Sequence, residues 1–496
     1  MYFNSEGKEE VTYDAIVVGS GISGGWAAKE LSEKGLKTLV LERGRMVRHG
    51  EYPTANMEDW ELPNRNRMTP EQMKDYKIQE RTGYTMKPAT QHWWPKDTEN
   101  PYTEIKPFDW IRAYHVGGRS LLWGRQSYRL GDLDFEANAK EGIAVDWPVR
   151  YKDLAPWYDY VETFIGVSGK NEGLFQLPDG KFLPPMEYNC LELEVKKRLK
   201  EKMGRDLIMG RTAHLTEPKG NRGTCQTRDR CMRGCPFGAY FSSNASTLPA
   251  AEATGNLTIR PFSIVTEIIL DESNKKAKGV RILDSETKET KEYFAKVVFL
   301  CASAFGSAYI MMNSISDRFP NGFGNDSGEL GHNVMDHHFR LGASGRSDEF
   351  KDKLDKGRRP TGIYIPRFRN IDAKSKMPNF LRGYGYQGGG GREGWGRYIS
   401  EAEYGKSLKD SLANCGDWTF GIMAFGECLP YHENRILLNK DVKDIYGLPT
   451  LSMDAEWKEN EKEMRKDMMS AAAEMLEAAG LKEVNTYDAG CNPGLG

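Results

Sequence analysis

No apolar run in this sequence approaches the roughly 20 residues that an α-helix needs to cross a bilayer, so no membrane-spanning helix is expected. The first thirteen residues, Met1 to Tyr13, are polar and charged and lack the apolar h-region of a secretory signal peptide. Charge of one sign is missing too: 69 lysines and arginines balance 71 acids, a net −2. That leaves no electrostatic case for nucleic acid or an anionic membrane as partner. Eight cysteines in 496 residues are too few for a disulfide scaffold. Five of them, Cys190, Cys301, Cys415, Cys428 and Cys491, are scattered, as small buried apolar residues are. The 39% apolar and 28% charged content is that of an ordinary globular protein. The length implies two or three domains, since one simple core does not grow to this size.

Against these absences stands a glycine pattern near the start. Ala15-Ile16-Val17-Val18 reads as a strand leading into Gly19-Ser20-Gly21-Ile22-Ser23-Gly24, followed by a helical stretch, Gly25–Lys34, with Gly35 as its C-terminal cap. A second strand, Lys37–Gly44, carries Glu42 at its end. This is a βαβ unit of dinucleotide-binding type. Gly19 permits the tight turn, Gly21 lets the backbone approach a pyrophosphate, and Gly24 lets helix and strand pack closely. The unpaired N–H groups at the helix start face the phosphates. Glu42 can accept the ribose hydroxyls, and an acid there disfavours the 2′-phosphate of NADP. The alternative is a glycine-rich turn in an unrelated α/β domain, because the chain holds 52 glycines.

Downstream, His115-Val116-Gly117-Gly118-Arg119-Ser120-Leu121-Leu122-Trp123-Gly124 is a second small-residue turn able to approach a flavin. Asn256–Arg260, Ile264–Leu270, Ala277–Leu283 and Val297–Ala302 read as strands, with a helix over Ala304–Asn313. Together with Asp146-Trp147-Pro148, Tyr151-Lys152-Asp153-Leu154-Ala155-Pro156-Trp157-Tyr158, Leu330–His337, Pro430…Asn434-Arg435-Ile436 and Gly447-Leu448-Pro449, these segments resemble the glucose–methanol–choline (GMC) oxidoreductase family of FAD enzymes. The resemblance covers most of the chain. It implies an α/β fold: a discontinuous Rossmann-like FAD-binding domain with a sheet-based substrate domain. It puts FAD contacts at Gly19, Ser20, Gly21, Ile22, Ser23, Gly24, Glu42 and Arg43, at Gly117, Gly118, Ser120, Trp123 and Gly124, and at Val265, Cys301 and Ala302. In some relatives a histidine one residue before that tryptophan bonds the flavin covalently. Here the position is Leu122, so FAD is expected to be non-covalent.

Three cysteines are not scattered: Cys225, Cys231 and Cys235, the last followed by Pro236, lie in the polar segment Gly220–Ala239. Thiolates are soft ligands suited to zinc or iron–sulfur centres. Closed structural zinc takes four ligands, and the nearest fourth, His214, is eleven residues before Cys225, an unfavourable spacing. Three thiolates ending in Cys-Pro suit iron–sulfur ligation, while a disulfide plus a free thiol, zinc, or no metal remain open. The segment also resembles a GMC subgroup, the catalytic subunits of bacterial FAD-dependent glucose dehydrogenase and glucoside 3-dehydrogenase. That resemblance implies a 3Fe–4S cluster on Cys225, Cys231 and Cys235. It further implies a small signal-bearing subunit and a cytochrome acceptor as partners. Periplasmic location by co-export and a cytoplasmic location both stay open.

The resemblance divides the chain into an FAD-binding domain at residues 1–160 and 240–335, an insertion at 161–239 carrying the cysteines, a substrate-facing domain at 336–482, and a final stretch at 483–496. A helix over Glu456–Ala479, stopped by Gly480, should pack Met464, Met468, Met475 and Leu476 into the core. Gly383–Trp395, with four consecutive glycines, reads as a mobile loop whose aromatics could stack on a sugar, with a solvent loop without function as the alternative. His92-Trp93-Trp94 reads as core packing. The family's catalytic base is a histidine in a His-x-x-Gly-Thr segment, and none of the eight histidines here has that context. The last residues, Asn492–Gly496, look like the approach to that segment, so the base is expected beyond Gly496, with His337 and His338 as weaker candidates. The function expected is FAD-dependent oxidation of a sugar or glycoside hydroxyl, with electrons leaving through an iron–sulfur cluster. The competing readings are a non-catalytic or truncated flavin-binding protein and an oxygen-using alcohol oxidase without a cluster.

Overall fold

A computed structural model describes residues 13–81, 86–271, 273, 276–355, 357, 359–394, 404–413 and 415–494. Its first sheet is built on β1 (Tyr13–Val18), β2 (Thr38–Leu41), β5 (Leu257–Arg260), β6 (Ser263–Asp271), β7 (Lys276–Asp284) and β8 (Thr290–Leu300). The strand order is β5-β2-β1-β8-β7-β6. β5, β2, β1 and β8 run parallel, whereas β8-β7 and β7-β6 pair antiparallel. β2 is buried along its whole length and β1 at every residue but Asp14, and the apolar runs Ala15–Val18 and Leu39–Leu41 suit a parallel sheet covered on both faces. Ile16, Val18, Leu39 and Leu41 enter one core cluster with Val265, Val280 and Ile310; Val17 and Val40 enter another with Ala28, Val116 and Leu248. The helix between β1 and β2 spans Ile22–Glu33, and Gly35 follows at φ 81°, where only glycine turns without strain.

The second sheet contains β4 (Ile208–Met209), β9 (Leu341–Ser347), β10 (Ile363–Ile365), β11 (Tyr384–Arg392), β12 (Trp418–Gly426) and β15 (Lys482–Asp488), in the order β15-β9-β12-β11-β10-β4. The Glu459–Ala478 helix and the Cys190–Met203 helix cover one face, where Met464, Met468, Met475 and Leu476 pack against Tyr386, Phe420 and Ile422. The glycine-rich stretch after Gly383 is therefore not a mobile loop. It is β11, an interior strand between β12 and β10. The glycines serve close backbone approach: a Cβ on Gly388 would stand 2.0 Å from the Gly421 carbonyl oxygen. Tyr384 and Tyr386 are buried beneath the covering helix, and Trp395 lies outside the described residues.

A smaller sheet joins the two halves. β13 (Arg435–Lys443) and β14 (Pro449–Asp454) form a hairpin, and β14 pairs in parallel with β3 (Thr103–Glu104). The turn of this hairpin reaches the ends of the first sheet's parallel strands.

Candidate active site

The carboxyl ends of β1, β2 and β8 open into a cavity of about 340 Å³, the position at which open α/β sheets bind ligands. Gly19, Ser20, Gly21, Ile22 and Ser23 line it, as do Glu42, Arg43, Gly118, Ser120, Val265, Cys301 and Ala302. The glycines divide their roles as the fingerprint requires. A Cβ on Gly24 would stand 1.9 Å from the Gly19 carbonyl oxygen, so only glycine lets the helix pack on the turn. A Cβ on Gly21 would meet nothing within 4 Å, because that position faces open space. Gly21 caps the helix without any side-chain hydrogen bond, and its first turn holds no acid. The helix N–H groups are thus left for an anion, and these features fit the pyrophosphate of FAD.

Glu42 ends β2 with a buried carboxylate. It accepts the Ser20 amide at 3.2 Å, the Ser20 hydroxyl at 2.5 Å and the Gly44 amide at 3.0 Å. Burial pushes its pKa up, against the pull of those donors. Both Ser20 bonds fall on Oε2, so Oε1, which takes only the Gly44 amide, keeps a lone pair for a ribose hydroxyl. Arg43 donates to Asp444 at 3.0 Å and Asn100 at 3.2 Å, and lies 4.5 Å over the Tyr114 ring. Asn100, Asp444, Thr450 and Leu451 supply a second wall, and Trp110–Tyr114 and Tyr309 complete the lining. Sequence reasoning missed that wall, since no local pattern marks those residues.

The second glycine turn is bound to the first. The Gly117 amide donates to Ser20 Oγ at 2.9 Å, and Ser120 Oγ donates to the Gly117 carbonyl at 2.6 Å. A Cβ on Gly117 would stand 1.7 Å from Asn244 Oδ1. Gly24, Gly117, Trp123 and Gly124 do not line the cavity itself. Trp123 donates its indole N–H to the Phe241 carbonyl at 3.0 Å and packs edge-on to that ring. Ser243 and Asn244 also tie this turn down, the Ser243 amide donating to Ser120 Oγ and Asn244 to the Val116 carbonyl, while Ser243 Oγ donates to the Gly21 carbonyl of the first turn; they too went unseen in the sequence.

The cysteine segment lies against this turn. Cys231 opens a short 3-10 turn, Cys231–Arg233, that packs on the Gly118–Leu121 turn. Arg125 spans the two, donating to the carbonyls of Leu121 at 2.8 Å and Cys231 at 3.1 Å. Burial raises the Cys225 pKa, and the nearby Cys231 and Cys235 raise it further. Between the first two cysteines, Thr227 and Asp229 hold positive φ of 51° and 55°, which non-glycine residues keep where tertiary structure demands it. His214, which its spacing disfavoured, stands beside Cys231: its Nε2 is 3.7 Å from Cys231 Sγ, with Nδ1 held by Thr212 Oγ1 at 2.6 Å. All eight cysteines are free, so the disulfide alternative is not realised. Among the described residues no three His, Cys, Asp or Glu side chains stand at metal-binding distance.

A family model described as GMC oxidoreductase matches residues 13–339. The chain belongs to the GMC oxidoreductase family. It is 26% identical to 2-methyl-1,2-propanediol dehydrogenase of Mycolicibacterium austroafricanum, over 95% of this chain and 82% of that protein. It is 26% identical to the fructose dehydrogenase large subunit of Gluconobacter japonicus (89% and 79%) and 24% identical to the gluconate 2-dehydrogenase flavoprotein of Pantoea cypripedii (95% and 80%). Among solved structures, pyridoxine 4-oxidase from Mesorbium loti shares the fold, with a TM-score of 0.52 at 15% identity over 95% of this chain and 81% of that one. GMC oxidoreductases bind FAD and act on CH–OH groups, and the cavity described above suits that cofactor.

Within this GMC chain, neither weaker histidine candidate lines the FAD cavity. His338 is fully buried, with its backbone paired to Gly426, and burial together with Arg465 and His337 pushes its pKa down to about 3. His337 is exposed, its Nδ1 2.6 Å from Asp336 Oδ1. His92-Trp93-Trp94 is core packing: both tryptophans are buried with Tyr52, Leu121 and Leu122. Leu122 thus serves that core and offers no atom for a covalent link. Acid precipitation of the holoprotein is expected to release the flavin into the supernatant; yellow colour retained in the pellet would overturn non-covalent binding.

Proposed function

We propose that this chain is the catalytic subunit of a dehydrogenase that oxidises a hydroxyl of a sugar or glycoside, with electrons leaving through a 3Fe–4S cluster on Cys225, Cys231 and Cys235. The substrate class is supported by the names of the relatives, which include a fructose dehydrogenase, a gluconate dehydrogenase and a diol dehydrogenase. A large subunit and a flavoprotein among them support partner subunits, here a small signal-bearing subunit and a cytochrome acceptor. No helix among the described residues is long and apolar enough to cross a membrane.

The observation that carries the electron-relay reading is the packing of the Cys231–Arg233 turn on the Gly118–Leu121 turn, bridged by Arg125. FAD, when bound, supplies the two-electron acceptor for hydride from the alcohol carbon. The chain's own part is to hold it: the helix N-terminus and Gly21 for the pyrophosphate, Glu42 for the ribose, and Gly118 to Ser120 as the close-approach turn. Three soft thiols on one loop suit iron in donor type, and a cluster would have to draw them together, since among the described residues no three such side chains stand at metal-binding distance. The residues beside them hold the loop in place. Arg230 and Arg233 pair with Glu58 and Asp59, and Trp93 donates to the Met232 carbonyl at 3.1 Å.

Anaerobically purified protein is expected to contain iron and to give the EPR signal of an oxidised 3Fe–4S cluster, and Cys231→Ser should lose both. Stoichiometric zinc without iron would sink the relay. Iron-free protein that turns over an alcohol with oxygen as acceptor would favour the oxidase reading instead.

A further inference from the structure

We infer that Asp444, on the turn between β13 and β14, latches the dinucleotide cleft through Arg43 and so sets how fast FAD passes in and out. The inference rests on FAD occupying the cavity and is independent of the iron–sulfur reading.

The cavity has two walls of separate origin. One is the Gly19–Ser23 turn with Glu42 and Arg43; the other includes Asn100, Asp444 and Thr450. The Arg43–Asp444 bond joins the walls across 401 residues of sequence, at 3.0 Å. The same guanidinium nitrogen donates to Asn100 at 3.2 Å, so one side chain grips the far wall twice. The two ends of the pair are differently fixed. Asp444 Oδ1 accepts the amides of Tyr446 at 2.9 Å and Leu448 at 3.0 Å, leaving Oδ2 for Arg43. Backbone bonds between Asp444 and Leu448, and between Gly447 and Asp444, close the turn around it. The carboxylate therefore cannot swing away without unravelling its own turn, and Arg43 is the part that moves.

Two further tethers hold the hairpin over the cavity: Ile445 donates to the Glu99 carbonyl at 2.9 Å, and the Tyr309 hydroxyl donates to the Pro449 carbonyl at 3.0 Å. The Asp444 side chain is 6% exposed and Arg43 27%. A pair this sheltered resists salt screening, and its charge-assisted bond is stronger than one between neutral groups. Breaking it leaves both walls intact and opens the path between them. A latch of this kind slows uptake as much as release, whereas a direct cofactor contact slows release alone.

The test is the pair of FAD rate constants in Asp444→Asn. The amide keeps an oxygen for the Tyr446 and Leu448 amides but removes the charge that holds Arg43. Release is followed by the rise in free-flavin fluorescence on dilution of the holoprotein, and uptake by its quenching when deflavinated protein is mixed with FAD. Both rates are expected to rise about tenfold, the effect of losing roughly one charge-assisted hydrogen bond, with the dissociation constant nearly unchanged. Faster release with unchanged uptake would make Asp444 a cofactor contact and overturn the latch, as would two unchanged rates. Ile445→Pro gives an independent arm. It deletes the Glu99 tether at the turn position where proline fits, and should raise both rates to a smaller degree; unchanged rates there count against the latch even if Asp444→Asn fails to fold.

Discussion

Glu42→Arg is expected to leave the protein without bound FAD. The wild-type carboxylate takes three donated hydrogen bonds from Ser20 and Gly44 in a buried site at the cavity wall. Arginine has no acceptor to offer, so the Ser20 and Gly44 amides lose their partner and face a cation. Each buried donor left unsatisfied costs about 1–3 kcal/mol. Ser20 transmits the damage, because its hydroxyl also accepts the Gly117 amide and thereby sets the second turn. The two glycine turns are thus coupled through one hydroxyl and one carboxylate. FAD affinity should fall by more than about a hundredfold, the equivalent of losing two such bonds. Glu42→Gln keeps one acceptor oxygen and should bind about tenfold more weakly than wild type. Flavin-to-protein absorbance after gel filtration and an FAD titration read both. Near-normal flavin content in Glu42→Arg would show that the carboxylate does not anchor the cofactor.

Two glycines in the same turn should respond to alanine in opposite ways. In Gly24→Ala the new methyl group would sit 1.9 Å from the Gly19 carbonyl oxygen and 3.3 Å from the Cys301 side chain. Neither neighbour can retreat, since Gly19 donates its amide to the Leu41 carbonyl and Cys301 donates to the Val18 carbonyl. The helix must lift off β1, and the loss should exceed about 3 kcal/mol, at the severe end for single substitutions. In Gly21→Ala the methyl group meets no protein atom, and the residue's φ of −65° is one alanine adopts. That variant should unfold at the wild-type temperature yet hold FAD at least about tenfold more weakly, because the methyl projects where the pyrophosphate lies. Thermal unfolding by circular dichroism and flavin content separate the outcomes. A stable Gly24→Ala, or a Gly21→Ala that binds normally, would contradict the division of roles.

What the sequence made legible follows from how local each signal is. The first βαβ unit was readable because its glycine spacing, helix and terminal acid lie within thirty residues of one another. The Ala304–Asn313 helix was readable for the same reason, and so was the apolar stripe of the Glu459–Ala478 helix. β11 was not, because four glycines in a row give a strand no side-chain pattern to alternate; only the packing of β12 and β10 against it shows why side chains are excluded there. Half of the cavity was equally silent. Asn100, Tyr114, Asp444 and Thr450 sit in no motif; Asp444 and Thr450 meet the cavity through the docking of the hairpin, and Tyr114 meets Arg43 through the bridge between Arg45 and His115. His214 was discounted on spacing along the chain, while its approach to Cys231 is set by the pairing of His214 with Tyr240.

The pairing of β1 with β8 also sets the order of events during synthesis. Tyr13 is opposite Ala295, and Val18 opposite Leu300. At a translation rate of roughly 5–20 residues per second, the central strand waits on the order of 15–60 s for its neighbour to leave the ribosome. β5, the outer partner of β2, arrives only slightly sooner. Through that interval Ala15–Val18 and Thr38–Leu41 are apolar strands with open edges, the kind of segment that pairs with other nascent chains. Yield in a heterologous host should therefore depend more on chaperone supply and slow expression than on the equilibrium stability of the finished enzyme.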